Sequence, residues 1–122
     1  MAKTEKRRVG DIGEEVACKY LEKRGYKIVE RNYLKPWGEI DIVAEKPDFI
    51  SFVEVKTVSH ENFRPEENMH PAKIKRLHRA VQTYLLDRKV PESREWRLDL
   101  VCVFLDFKTK RAKVEILENI IL

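Results

Sequence analysis

Residues 38–56 read GEIDIVAEKPDFISFVEVK, and the way they alternate decides the fold. Ile40, Ile42 and Ala44 fall on one side of an extended chain and Glu39, Asp41 and Val43 on the other, the period of a half-buried strand. Lys46-Pro47-Asp48 reads as a turn, with proline suited to its first central position. Phe49–Thr57 then resumes as a second strand with few polar residues, as expected of a central strand covered on both faces. Yet Glu39, Asp41, Glu54 and Lys56 sit inside this pair of strands. Burying such groups without partners is costly, so their presence needs a reason.

Working outward, Tyr26–Leu34 is rich in β-branched and aromatic residues and reads as a preceding strand. Val9, Ile12, Val16, Ala17, Tyr20 and Leu21 recur at helical spacing, so a helix is expected over Val9–Arg24, with Gly25 as its stop. Residues 1–8 are polar and basic and are expected to form a flexible tail ahead of one domain spanning residues 9–122. Downstream, residues 58–70 are polar and read as a long loop. A second helix is expected over His70–Arg88, with Pro71 in its first turn and Ile74, Leu77, Val81 and Leu85 as its buried stripe. Strands at Trp96–Leu105 and Ala112–Leu117 close the chain. Short connections make the first three strands antiparallel neighbours. The helical crossover makes the third and fourth parallel and right-handed. The expected fold class is α/β, a mixed sheet flanked by helices.

The 122 residues carry 25 Lys and Arg against 21 Asp and Glu, a formal charge of +4. That excess is too small to prove a nucleic-acid partner by itself. Cys18 and Cys102 have no CxxC spacing, which argues against a zinc or thioredoxin-like site. They read as reduced and structural, with a single disulfide between them left open. His60, His70 and His78 lack compact ligand spacing. No apolar run approaches a membrane span, and the basic start of the chain lacks the apolar core of a signal peptide. The sequence therefore reads as soluble and cytoplasmic, without a membrane partner.

Glu54 and Lys56 share one face of their strand, and a suitable register brings Asp41 beside Glu54. Two converging carboxylates repel unless a proton or cation lies between them. Mg²⁺ or Mn²⁺ takes hard oxygen donors of this kind, one or two carboxylates completed by water and phosphate. The backbone carbonyl of Val55 is a further candidate donor. A metal so held would polarise a phosphate and lower the pKa of a bound water. Lys56 would orient that water or stabilise the transition state. The plain structural alternative is an internal ion pair between Glu54 and Lys56, since on spacing alone an E-x-K pair is most often ordinary surface charge.

GEIDIVA (residues 38–44) followed by FVEVKT (residues 52–57) resembles the signature of the PD-(D/E)XK nuclease superfamily. Adding GDIGEEVACKYLEKRGYKIVERN (residues 10–32) and RLDLVCV (residues 97–103), the chain resembles more closely the small bacterial YraN family, itself similar to archaeal Holliday junction resolvases. The resemblance implies a restriction-endonuclease-like α-β-β-β-α-β core. It matches Asp41 and Glu54 to metal ligands, Lys56 to the catalytic lysine and Glu14 to the helix glutamate that completes the site. Ile40 stands where the strict motif has proline. Helical periodicity leaves Glu14 and Glu15 equivalent, flanking the apolar face on opposite sides. Glu39 is a ligand, a supporting residue behind the ligands or a structural partner.

Lys73, Lys75, Arg76 and Arg79 crowd the start of the second helix, where cations oppose the helix dipole. Phosphate contacts would explain them, and a solvated helix face is the alternative. Lys73 is also placed to be a second cation near the scissile phosphate. Asp99 reads as structural, paired with Arg97 or with a basic residue of the first helix. Trp37 and Trp96 read as core or loop anchors. The function expected is a metal-dependent endonuclease-like protein hydrolysing DNA phosphodiesters, including branched DNA. The alternatives are a nucleic-acid-binding module of the same fold without cleavage, and a protein-interaction domain with an internal ion-pair network. By analogy with resolvases, a homodimer is expected.

Overall fold

A computed structural model describes residues 4–59 and 69–120. Its elements are α1 (Glu5–Lys23), β1 (Lys27–Lys35), β2 (Gly38–Lys46), β3 (Phe49–Val58), α2 (Pro71–Asp87), β4 (Trp96–Asp106) and β5 (Arg111–Leu117). The five strands form one sheet in the order β1-β2-β3-β4-β5. β3 and β4 are parallel and the other neighbours antiparallel. This is the mixed α/β sheet expected, with the α-β-β-β-α-β order of the core.

The first helix starts earlier than its apolar period implies. Thr4 accepts a hydrogen bond from the Arg7 amide at 3.2 Å, an N-cap that the polar sequence hides. Residues 5–8 are therefore helical, not tail. Most of the expected loop at 58–70, with His60, lies outside the described residues.

The helices cover opposite faces of the sheet. On the α1 face, Ala17, Cys18 and Leu21 pack on Ile42, Ala44, Val53, Val101 and Val103. On the α2 face, Leu77, Ala80, Val81 and Tyr84 pack on Ile40, Val43, Phe52 and Leu98. Both cysteines are buried, and neither is in a disulfide. Gly13 marks the closest approach of α1 to β3: a Cβ there would fall 1.7 Å from Thr57 Oγ1.

One register detail differs from the simple alternation and shapes the site. Ile40 packs toward α2 and Ile42 toward α1, although two residues apart on a regular strand share a face. The paired residues on β1 behave the same way. Arg31 stands opposite Ile42 and Tyr33 opposite Ile40, and between them Asn32 has φ 54°. Asparagine tolerates this left-handed backbone better than most residues. The pleat thus changes phase in both strands, at Asn32 and at Asp41.

Asp99 anchors the other end of the sheet and is fully buried. It accepts hydrogen bonds from Ser51 Oγ (2.5 Å), Arg97 Nε (3.1 Å) and the Asn119 amide (2.7 Å). Arg97 also donates to Tyr26 Oη and lies 4.1 Å over the Phe49 ring. The partner of Asp99 is Arg97, not a residue of the first helix, and its role is structural.

Candidate functional site

β2 and β3 are last paired at Ile42 and Val53. Beyond that point the ladder is replaced by a side chain: the Val55 amide donates to Asp41 Oδ2 at 2.7 Å. The phase change at position 41 therefore has a consequence. It frees Asp41 from the pleat and lets its carboxylate satisfy a backbone donor that a strand would otherwise pair. The N–H and C=O of one strand residue point to the same edge, so the Val55 carbonyl faces this opening too.

A cleft of about 520 Å³ lies between the start of α1 and the end of β3. Val9, Gly10, Glu14, Asp41, Val55 and Lys56 line it. Glu54 stands on the next strand from Asp41, and the Lys73 ammonium of α2 lies 3.2 Å from its Oε1. Burial, and next the Glu54 charge, push the Asp41 carboxyl up to about 8, against the pull of the Val55 amide. Burial also raises Glu54, opposed first by Lys73 and then by a hydrogen bond with Asp41. Both carboxyls are thus pushed toward their protonated forms, while Lys73 favours the charged form of Glu54. Positive charge beside the pair, from Lys73 or from a bound cation, favours its charged form.

Glu14 faces this cleft and Glu15 does not. Glu15 is half exposed and takes Arg31 Nη1 at 3.0 Å. Glu14 is shielded and lies 3.8 Å from Arg31 Nη2. With its amide oriented by its neighbours, Asn32 donates to Glu14 Oε1 and Glu39 Oε1, each at 3.2 Å. Burial raises the Glu14 carboxyl, with Arg31 opposing and Glu39 adding to the rise. Glu39 is exposed and stands behind the site, tied to it through Asn32.

The donor types fit a hard divalent cation: two carboxylates and a backbone carbonyl at an opened strand edge. The fit has a limit. Among the described residues, no three of His, Cys, Asp and Glu form a group that could hold a metal. Glu14 lines the cleft without completing a three-carboxylate cage.

The basic residues of α2 divide. Lys73 is engaged with Glu54, which accounts for a cation in the first turn of a helix without invoking phosphate. Arg79 lies 4.3 Å over the Trp37 ring. Lys75 and Arg76 are exposed. Trp96 packs edge-on against Phe52 and beside His78. Asn32 and Arg31 are the site residues that sequence reasoning missed. A lone asparagine in a strand, where its residue type is disfavoured, was the available signal for the first.

Residues 13–103 match the uncharacterised protein family UPF0102. The chain belongs to this family. Similar members include a UPF0102 protein of Moorella thermoacetica, 43% identical over 93% of this chain and 95% of its own. Another from Helicobacter hepaticus is 38% identical over 95% of this chain and 96% of its own. A third, from Syntrophomonas wolfei, is 51% identical over 65% and 70%. These names carry no activity. Among the described residues, no helix is long and apolar enough to cross a membrane.

Proposed function

We propose that this chain is a divalent-cation-dependent nuclease that hydrolyses DNA phosphodiesters at the cleft lined by Asp41, beside Glu54. The observation that carries the reading is the buried carboxyl pair at the parted edge of β2 and β3, where Asp41 is held by the Val55 amide and pushed up to about 8. A purely structural pair of this kind is a liability, whereas a cation site requires one.

Asp41 fixes one oxygen on Val55, and its carboxylate would become a metal donor once a cation displaced the proton of its hydrogen bond with Glu54. Glu54 contributes the second carboxylate, and Val55 offers its carbonyl. Bound there, Mg²⁺ or Mn²⁺ would neutralise the phosphate and acidify water. Lys56, on the rim of the same cleft, holds a scissile phosphate oxygen and stabilises the extra negative charge as the phosphorus becomes five-coordinate. Lys73 balances Glu54 when no cation is present. Glu14, fixed by Asn32 and Arg31, accepts the proton of the attacking water as that oxygen bonds to phosphorus, while the bond from phosphorus to the leaving sugar oxygen breaks and that oxygen takes a proton from solvent.

The test is incubation of labelled four-way junction, flap, single-stranded and duplex DNA with Mg²⁺, Mn²⁺ or chelator, beside an Asp41→Ala/Lys56→Ala variant. Metal-dependent cutting lost in the variant supports the reading. No cutting of any substrate by the wild type overturns it. A second reading, a nucleic-acid-binding module without cleavage, is favoured by the lack of a third converging carboxylate among the described residues. Salt-sensitive binding without cleavage would establish it.

A further inference from the structure

The face of the sheet that carries Glu54 and Lys56 continues past the acidic cleft. Residues paired across neighbouring strands share a face, so the register lays out rows. Lys56 is opposite Cys102, and Cys102 opposite Glu115. One row further, Val58 is opposite Phe104, and Phe104 opposite Lys113. Asp106 and Arg111 close the hairpin. Glu54, two residues before Lys56, is paired with Lys73 of α2, so these rows lie on the α2 face. They run from Lys56 toward the β4–β5 turn, over a distance on the order of 10–15 Å from strand and residue spacings.

Among the described residues, a groove of about 990 Å³ follows that path, lined by Phe104, Phe107, Lys108, Arg111 and Lys113. Ser59 lines both this groove and the acidic cleft, so the two adjoin at the end of β3. Lys108, Lys110, Arg111 and Lys113 are all exposed. The nearby acids are committed. Asp106 Oδ1 accepts from the Lys108 and Thr109 amides at 2.9 and 3.3 Å, which fixes the turn. Glu115 is 3.2 Å from Lys113. At the turn, Phe107 remains 55% exposed, a bare aromatic ring amid cations.

Cations tracking a groove bind a phosphate backbone, and an exposed ring gives an unpaired base a surface to stack on. We propose that the β4–β5 hairpin is a single-strand-binding arm, which grips the nucleic-acid strand where it leaves the cleft. The identity of that strand as substrate rests on the nuclease reading; the binding itself does not.

The test is fluorescence anisotropy in EDTA, with a labelled single-stranded DNA 20-mer and the matching duplex, at several salt concentrations. The variants are Lys108→Glu/Lys110→Glu/Arg111→Glu, Phe107→Ala and, as a control on α2, Lys75→Glu/Arg76→Glu. Circular dichroism checks folding, which these exposed sites should not disturb. The triple variant should bind the single strand at least tenfold more weakly, with a log–log salt slope shallower by about two, since each phosphate contact on a single strand contributes about 0.7. Phe107→Ala should weaken single-strand binding about fivefold or more and duplex binding less. Hairpin variants that bind like wild type, a loss confined to the α2 variant, or no binding by wild type would each overturn the proposal. Hairpin-dependent binding without cleavage in Mg²⁺ or Mn²⁺ supports the arm and overturns the nuclease reading. Cleavage with hairpin-independent binding does the reverse.

Discussion

Asp41 is under opposing demands. Its Oδ2 closes a backbone hydrogen bond with Val55, a structural task that needs only an acceptor. Its charge, beside Glu54 in a buried setting, is unfavourable. Because its folded-state pKa is raised above the ordinary 3.8 to about 8, the folded chain holds a proton that the unfolded chain has released. Its contribution is fully present below about pH 4 and is lost as pH rises toward 8. The cation-free protein should therefore lose thermal stability from pH 5 to pH 8, and Mg²⁺ or Mn²⁺ should restore it at pH 8. Asp41→Asn keeps an acceptor for Val55 while removing the charge. It should flatten that pH profile and stabilise the cation-free protein at pH 8 by about 1 kcal/mol or more, since a tenfold change in proton affinity is worth about 1.4 kcal/mol. Thermal melts across pH would show this.

Lys73 gives a complementary case. Its ammonium neutralises Glu54 across 3.2 Å at a partly shielded position. Lys73→Met should destabilise the cation-free protein by about 1–2 kcal/mol, since the pair is partly screened. Mn²⁺ should then raise the melting temperature of this variant more than that of wild type. An equal rise in both would show that the cation does not take over the role of the ammonium. The sequence marked Lys73 as one of four basic residues; its pairing depends on how α2 lies across β3, which no local pattern encodes. The choice between Glu14 and Glu15 is of the same kind. Helical period left them equivalent, and Arg31 and Asn32, supplied by β1, separate them.

Among the elements, α1 sets the height of the cleft. Two glycines of this helix face different surroundings. At Gly13 an added Cβ would meet Thr57 Oγ1 at 1.7 Å, and at Gly10 it would meet nothing within 4 Å. Gly13→Ala should lift α1 from β3, destabilise the protein by about 1–3 kcal/mol and displace Glu14. Thr57→Ala should relieve part of that loss, leaving its own Cβ at 2.7 Å. Gly10→Ala should be neutral or stabilising by up to about 1 kcal/mol through helix propensity. Denaturant titration of the three variants checks the pattern, and equal losses at Gly10 and Gly13 would contradict it. Element order and pairing were readable because the periods 2 and 3.6 are local. The change of phase at Asn32 and Asp41 was not. Ile40-Asp41-Ile42 looks like uninterrupted alternation, and only the left-handed Asn32 on the neighbouring strand reveals the break.

On the scale of the whole molecule, the sheet is held at one end by Asp99 and opened at the other by Asp41. Asp99 joins β3, β4 and the segment after β5 through Ser51, Arg97 and the Asn119 amide. Asp99→Ala would strand three buried or partly buried donors and should cost about 3–5 kcal/mol, read as a lowered denaturation midpoint. It should lower cation affinity only in so far as it unfolds the chain. The RLDL segment made the Arg97–Asp99 pair legible, since i and i+2 share a strand face. The Ser51 and Asn119 contacts are long-range and were not. The division of labour is then physical: one buried acid is saturated with donors, and the other is left in need of charge.

The most direct test of that division is a titration of Mn²⁺ into wild type and Asp41→Asn, followed by calorimetry at pH 8. Saturable binding to wild type with release of part of a proton, lost in Asp41→Asn while its fold is kept and its melting temperature is no lower, is the expected result. Equal binding to both proteins, or none to wild type at millimolar Mn²⁺, would contradict a cation site at Asp41 and Glu54.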